Sequence, residues 1–136
     1  METLRVLSNV GVHWLIRGVF FDLGDTLVDE QVFLEKGIVK TLPYAHEVLK
    51  ALLHHYKLAI ICNTDADKET VQKKLEDAGI DRYFDLVVVS SEVRSSKPDE
   101  RIFRIALEQL RLSPDEVVMI GNRISADILG GNKVGM

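Results

Sequence analysis

Four short clusters of chemically capable residues punctuate this chain, and each follows an apolar run. Asp22 opens the first, with Gly24, Asp25 and Thr26 behind it. Cys62-Asn63-Thr64-Asp65 forms the second, Lys97-Pro98-Asp99 the third, and Gly121 through Asp127 the fourth, which includes Asn122, Arg123 and Ser125. A carboxylate delivered by a buried strand can attack phosphorus or carbon as a nucleophile, most effectively beside a metal ion. Lysine and arginine nearby would neutralise an anionic substrate. Acidic and amide oxygens are the donors a hard cation such as Mg²⁺ prefers.

The elements that must position these groups are legible from the pattern of side chains. Val19–Asp22, Leu58–Cys62, Leu86–Val89 and Val117–Ile120 are short runs rich in β-branched and aromatic residues, and they predict buried strands. Ala45, Val48, Leu49, Leu52, Leu53 and Tyr56 fall on one helical face after Pro43. Val71, Leu75 and Ala78 mark a second helix, begun near Asp65 or Asp67 and stopped by Gly79. Ile102, Phe103, Ala106, Leu107 and Leu110 mark a third, entered through Pro98. Ser113-Pro114-Asp115-Glu116 has the form of a capping box, and residues 125–134 predict a last helix ended by Gly135. Strands alternating with helices imply right-handed crossovers and a parallel sheet covered on both faces. In such open sheets, sites lie beyond the carboxyl ends of the strands, where all four clusters fall.

With the four clusters in this order, the chain resembles the haloacid dehalogenase (HAD) superfamily, mostly Mg²⁺-dependent phosphatases, over roughly residues 18–136. The resemblance implies an α/β three-layer sandwich with a mostly parallel, Rossmannoid sheet. It also implies roles. Asp22 would be the nucleophile that forms an aspartyl-phosphate, and Lys97 would neutralise charge and orient it. The residues ending the second strand (Cys62, Asn63, Thr64), with Lys97, would bind the phosphoryl oxygens. Asp22, Gly24, Asn122 and Asp127 would hold Mg²⁺.

Three positions depart from the pattern that the resemblance implies. Family phosphatases carry a second aspartate two residues after the nucleophile, to protonate the leaving oxygen; Gly24 fills that slot, and Asp25 follows it. Asp25 is the candidate replacement acid, although a one-residue shift after a strand usually turns a side chain elsewhere. Cys62 stands where a hydroxyl is expected, and a thiol is a weak donor; its plainest role is a buried structural cysteine. Asn122 replaces an acid, which removes one negative charge from the metal site. The leading reading is therefore a Mg²⁺-dependent phosphatase acting through Asp22. The alternatives are a catalytically weakened or inactive HAD-like binding or regulatory domain, and a dehalogenase-like hydrolase, for which the missing acid is no loss.

Composition bounds these readings. At 136 residues and 46% apolar content the chain fits one domain with a real core. A net charge of −4 leaves no basic footprint for nucleic acid. One cysteine excludes an internal disulfide and fits a reducing, cytoplasmic setting. The first residues are interrupted by Glu2, Arg5, Asn9 and His13 and predict neither a signal peptide nor a membrane span. The sequence divides into an N-terminal extension, 1–17, and a HAD-like core, 18–136, lacking a last strand. Only 17 residues separate Asp25 from Pro43, which predicts little or no cap domain and an open site for a phosphorylated substrate of unknown identity. The strand at Val117–Ile120 is then an apolar edge. Leu4, Val6, Val10, Val12 and Trp14 are candidates to cover it, as is a second copy of the chain in a homo-oligomer.

Overall fold

The computed structural model describes residues 15–136. Four parallel strands, β1 (Gly18–Phe21), β2 (Lys57–Cys62), β3 (Leu86–Val89) and β4 (Val117–Ile120), form one sheet in the order β3-β2-β1-β4. Phe20 pairs with Ala59 on one side and Met119 on the other, so β1 is central. The chain steps outward from β1 to β2 and β3, then returns to the far side of β1 as β4. The switch point therefore lies between β1 and β4, where open α/β sheets leave a crevice.

Six helices occupy the connections among the described residues: α1 (Glu30–Lys36), α2 (Ala45–Leu52), α3 (Lys68–Ala78), α4 (Ser90–Val93), α5 (Glu100–Leu110) and α6 (Leu129–Val134). Their ends follow local chemistry. Asp67 caps α3 by accepting the Thr70 N–H, and Gly79 ends it in the left-handed region at φ 72°. Asp99 caps α5 through the Arg101 N–H. Ser113 and Glu116 close a capping box around a single 3₁₀ turn before β4.

The sheet buries two cores. On one face α2 and α3 pack Ala45, Leu49, Val71 and Leu75 against Val19, Phe21, Leu58 and Ile60. On the other, Ile102, Phe103, Ala106 and Leu107 of α5 meet Phe20, Ala59, Ile61 and Val117. Phe20 and Phe103 are fully buried, and a side chain of that size contributes about 1.5–3 kcal/mol on burial.

Four details differ from the sequence pattern. Asp22 lies one residue past β1, freed from the sheet, although its N–H still bonds the Ile120 carbonyl at 2.9 Å. Val48 is exposed at 45%, because α2 turns only Ala45 and Leu49 fully inward. The last helix begins as a π-helical turn over Ile124–Ile128 before α6. Finally, among the described residues the sheet is not covered on both faces throughout: Val118 and Ile120 of β4 are 41% and 39% exposed. They point to the side of α2 and α3, whose core contains no β4 residue. The segment proposed to cover that edge, Leu4 to Trp14, lies outside the described residues. Arg17, assigned above to the extension, already joins the sheet margin: its N–H bonds the Glu116 carbonyl and its carbonyl takes the Lys57 N–H.

Candidate active site

Asp22 emerges from β1 into a tight loop. The Leu23 carbonyl accepts from the N–H groups of Thr26, Leu27 and Val28, and Asp25 adopts φ 57° to close the turn. Val28 then bridges to Thr41. α1 rises from this turn over the strand ends, contributing no buried residue to either core. Its first residue, Glu30, is held by the Asp25 carboxylate, whose Oδ1 accepts the Glu30 N–H at 3.1 Å. Asp25, the proposed replacement acid, is thus an exposed side chain engaged in positioning the next helix.

At the centre is an ion triad. Lys97 Nζ lies 2.9 Å from Asp22 Oδ1 and 2.6 Å from Asp127 Oδ1. The three side chains are 2%, 14% and 1% exposed. Asp127 is fixed further by the Arg123 N–H, which donates to its Oδ2 at 3.1 Å. Gly121 makes room for it: a Cβ at residue 121 would stand 2.2 Å from the Asp127 carboxyl carbon. The sequence left open whether Lys97 was a solvated charge at a helix start; burial between two carboxylates answers that.

The second strand end does something other than the sequence suggested. Both ends of the Asn63 amide are spent on the Lys97 main chain: Nδ2 donates to its carbonyl at 3.0 Å and Oδ1 accepts its N–H at 2.8 Å. Asn63 therefore orients Lys97, and its side chain is not free for a phosphoryl oxygen. Thr64 is tied in the same way. Its N–H donates to Ser90 Oγ, Ser90 Oγ–H donates to its carbonyl, and its Oγ1 accepts the Ala66 N–H. Ser90, a site-supporting residue missed by sequence reasoning, sits at the end of β3; a lone serine there carries no signal of a partner 26 positions away. Cys62 is buried, and burial first, then the Asp22 carboxylate, pushes its thiol up to about 11. It is a neutral, weakly donating group at the cleft floor.

These residues share one cleft of about 700 Å³, larger than the 540 Å³ hollow at the opposite strand ends. Every candidate from the sequence lines it: Asp22, Gly24, Asp25, Cys62, Asn63, Thr64, Lys97, Asn122 and Asp127, with Arg123. Five carboxylates and four cations border the cleft, for a net charge of −1. The oxygen donors suit a hard cation. Asp22 Oδ2 is not the atom paired to Lys97, and Asn122 and Gly24 line the same cleft. Asp127 has an oxygen on Lys97 and the other on the Arg123 N–H, so it offers only remaining lone pairs.

Fold and site together define an open parallel α/β protein whose working residues gather at the sheet's switch point. The chain belongs to the haloacid dehalogenase-like hydrolases: the model of that family matches residues 33–136. Among curated relatives, pyrimidine 5′-nucleotidase YjjG of Escherichia coli (strain K12) is 41% identical over 101 residues, 73% of this chain and 44% of its own length. Human N-acylneuraminate-9-phosphatase is 32% identical over 112 residues, 81% of this chain and 45% of its own. The chain thus spans less than half the length of these relatives. An uncharacterized protein from Listeria monocytogenes serotype 4b superimposes with a TM-score of 0.79 at 31% identity, covering 89% of this chain and 75% of that one. A HAD phosphatase from Thermococcus onnurineus, at 22% identity and TM-score 0.76, shares the fold.

Proposed function

We propose that this chain is a phosphatase domain that hydrolyses a phosphate monoester through an aspartyl-phosphate on Asp22. The observation that carries the reading is the Lys97 ammonium, clamped between Asp22 and Asp127 at the mouths of β1 and β4. Phosphoryl transfer asks a protein chiefly for positioning and charge stabilisation. The arrangement supplies both. Asn63 and the buried seat of Lys97 fix the cation, and Lys97 orients the Asp22 carboxylate through Oδ1.

Mg²⁺ fits the donor set, with Asp22, the Gly24 carbonyl, Asn122 and Asp127 as the residues that would hold it. When bound it would neutralise phosphoryl charge. Its affinity is expected to be modest, since Asn122 brings no charge and Asp127 is already doubly engaged. The relatives include a 5′-nucleotidase and a sugar-acid phosphatase by name, and the substrate proposed here is a small phosphate monoester in the cytoplasm. α1 is the only element between Val28 and Thr41, so the cleft has no large cap over it within this span.

The test is turnover of 4-nitrophenyl phosphate with and without Mg²⁺, in the wild type and Asp22→Asn. Mg²⁺-stimulated hydrolysis abolished by the substitution supports the proposal. Phosphate binding with no hydrolysis would instead favour the regulatory-domain reading, which draws on the substituted positions Gly24, Cys62 and Asn122. Halide release from a 2-haloacid would favour a dehalogenase.

A further inference from the structure

A phosphorylated aspartate is turned over by water, and water needs a group to take its proton. Few residues around Asp22 are free to do so. Asp127 is fully buried with both oxygens engaged. Asp25 holds the Glu30 N–H. Lys97 is held between two carboxylates, and Cys62 is a buried thiol.

Glu30 is placed differently. An added Cβ on Gly24, two residues past Asp22, would stand 2.5 Å from Glu30 Oε1, 2.6 Å from its Cγ and 2.9 Å from its Cδ. The glutamate carboxylate therefore fills the space that a side chain at residue 24 would take. It borders the same cleft as Asp22 and Lys97. Its side chain is 34% exposed, so water reaches it. Lys74 fixes it, with Nζ 3.0 Å from Oε1, and Lys74 is in turn seated over the Phe33 ring at 4.1 Å. A carboxylate in an ion pair is a proton acceptor, not a donor.

We propose that Glu30 is the general base for the water step, supplied by α1 in place of a side chain at residue 24. The inference rests on the phosphatase reading above. In the first step an Asp22 oxygen bonds to phosphorus while the leaving oxygen departs with its electron pair and takes a proton from solvent. In the second, Glu30 accepts a proton from water as the water oxygen bonds to phosphorus. The P–O bond to Asp22 breaks, its electron pair returns to the carboxylate, orthophosphate leaves, and Glu30 releases its proton to solvent. With no proton donor for the first step, the site suits monoesters whose leaving group is stable as an anion, such as aryl phosphates.

The experiment is rapid-mixing kinetics of the full chain with Mg²⁺ and 4-nitrophenyl phosphate, comparing wild type, Glu30→Gln and Asp22→Asn. Because α1 buries no residue, Glu30→Gln should keep the wild-type urea midpoint. It should release a burst of nitrophenolate equivalent to one per chain, then turn over roughly 10²-fold or more slower than wild type. Phosphate should be trapped on the Asp22 peptide by mass spectrometry, and hydroxylamine should release it in a single turnover, leaving Asp22 as the hydroxamate. An unchanged steady-state rate in Glu30→Gln overturns the proposal, as does equal loss of burst and steady state in a folded variant. If wild type shows no hydrolysis, or Asp22→Asn hydrolyses as fast as wild type, the phosphatase reading itself fails. That result is distinct from an active wild type that ignores Glu30.

Discussion

Replacing Lys97 with methionine tests the centre of the site through stability rather than activity. Lys97 Nζ sits 2.9 Å from Asp22 and 2.6 Å from Asp127, and the lysine and Asp127 side chains are 2% and 1% exposed. At an effective dielectric of 20, each attraction at such a distance is worth roughly 6 kcal/mol before desolvation is subtracted. Desolvation cancels much of that in the intact triad, so the triad's net contribution is small. Removing only the lysine is another matter. The methylenes are replaced, but two carboxylates remain buried with no counter-charge, and breaking a buried pair in this way costs about 3–5 kcal/mol. With a urea m-value of about 2 kcal/mol/M, the midpoint should fall by about 2 M.

The assay is urea denaturation at 25 °C of wild type, Lys97→Met, Asp127→Asn and the double variant. The coupling should be strong: Asp127→Asn in the Lys97→Met background removes one of the stranded charges. The double variant should therefore be more stable than the sum of the single losses predicts, by roughly 1–3 kcal/mol. Salt should alter these differences little, because buried charges are poorly screened. A Lys97→Met midpoint within about 0.5 M of wild type, the value expected of a surface pair, would refute the buried triad. Strict additivity in the cycle would do the same.

Three other outcomes follow from the same geometry. Asn122→Asp restores a charge at the end of β4 and should tighten Mg²⁺ binding roughly 10- to 100-fold by titration calorimetry, since a unit charge at about 4 Å is worth about 4 kcal/mol less its desolvation; unchanged affinity would remove Asn122 from the donor set. The Cys62 thiol, raised from 9.0 to about 11 in the folded chain, stays protonated where the unfolded chain ionises. Its stabilisation is complete below pH 9.0, declines as pH rises, and is gone above about 11, so wild type should lose on the order of 3 kcal/mol relative to Cys62→Ala across that window. Parallel stability curves for the two proteins would contradict this. Gly130 brings α6 against α5, and a Cβ there would stand 2.5 Å from the Phe103 ring; Gly130→Ala should cost about 1–3 kcal/mol in thermal or urea unfolding.

The parts of this design that sequence reveals are those written in runs. Leu86–Val89 and Val117–Ile120 read as strands, although β4 buries only alternate residues, and four such runs place their ends together. Hence Asp22, Lys97 and Asp127, separated by 75 and 30 positions, could be read as partners before any distance was known. The failures have a different physical origin. Asn63 looked like a ligand because it stands at a strand end; that its amide binds the Lys97 backbone depends on β2 and the loop after α4 lying side by side. Glu30 looked like an ordinary acidic residue in a helix's first turn, where the dipole favours it. Its approach to Gly24 follows the turn at Asp25, which adopts φ 57°; aspartate tolerates that region, but the residue type alone does not say that the turn forms there.

The departures at Gly24 and Asn122 can be understood together through charge. The cleft lining carries a net charge of −1; an aspartate at either position would make it more negative. A more negative site favours a cation and repels a phosphate dianion, while the present one is closer to balance. Lys97 and Lys74 are each already committed to carboxylates, so an arriving phosphate must compete with Asp22 and Glu30 for the same ammonium groups. Displacing Lys74 from Glu30 would leave that carboxylate in the cleft without the cation that holds it. On the proposed mechanism, Lys74 would then have two candidate partners, the substrate phosphate and Glu30. Lys74→Met tests this, since it removes the cation from Glu30 and from the cleft lining together. Apparent affinity for phosphate should fall in that variant, with the water step, measured on trapped phosphoenzyme, no slower than wild type. A phosphoenzyme that decays more slowly would show instead that Lys74 is needed to hold Glu30 in place.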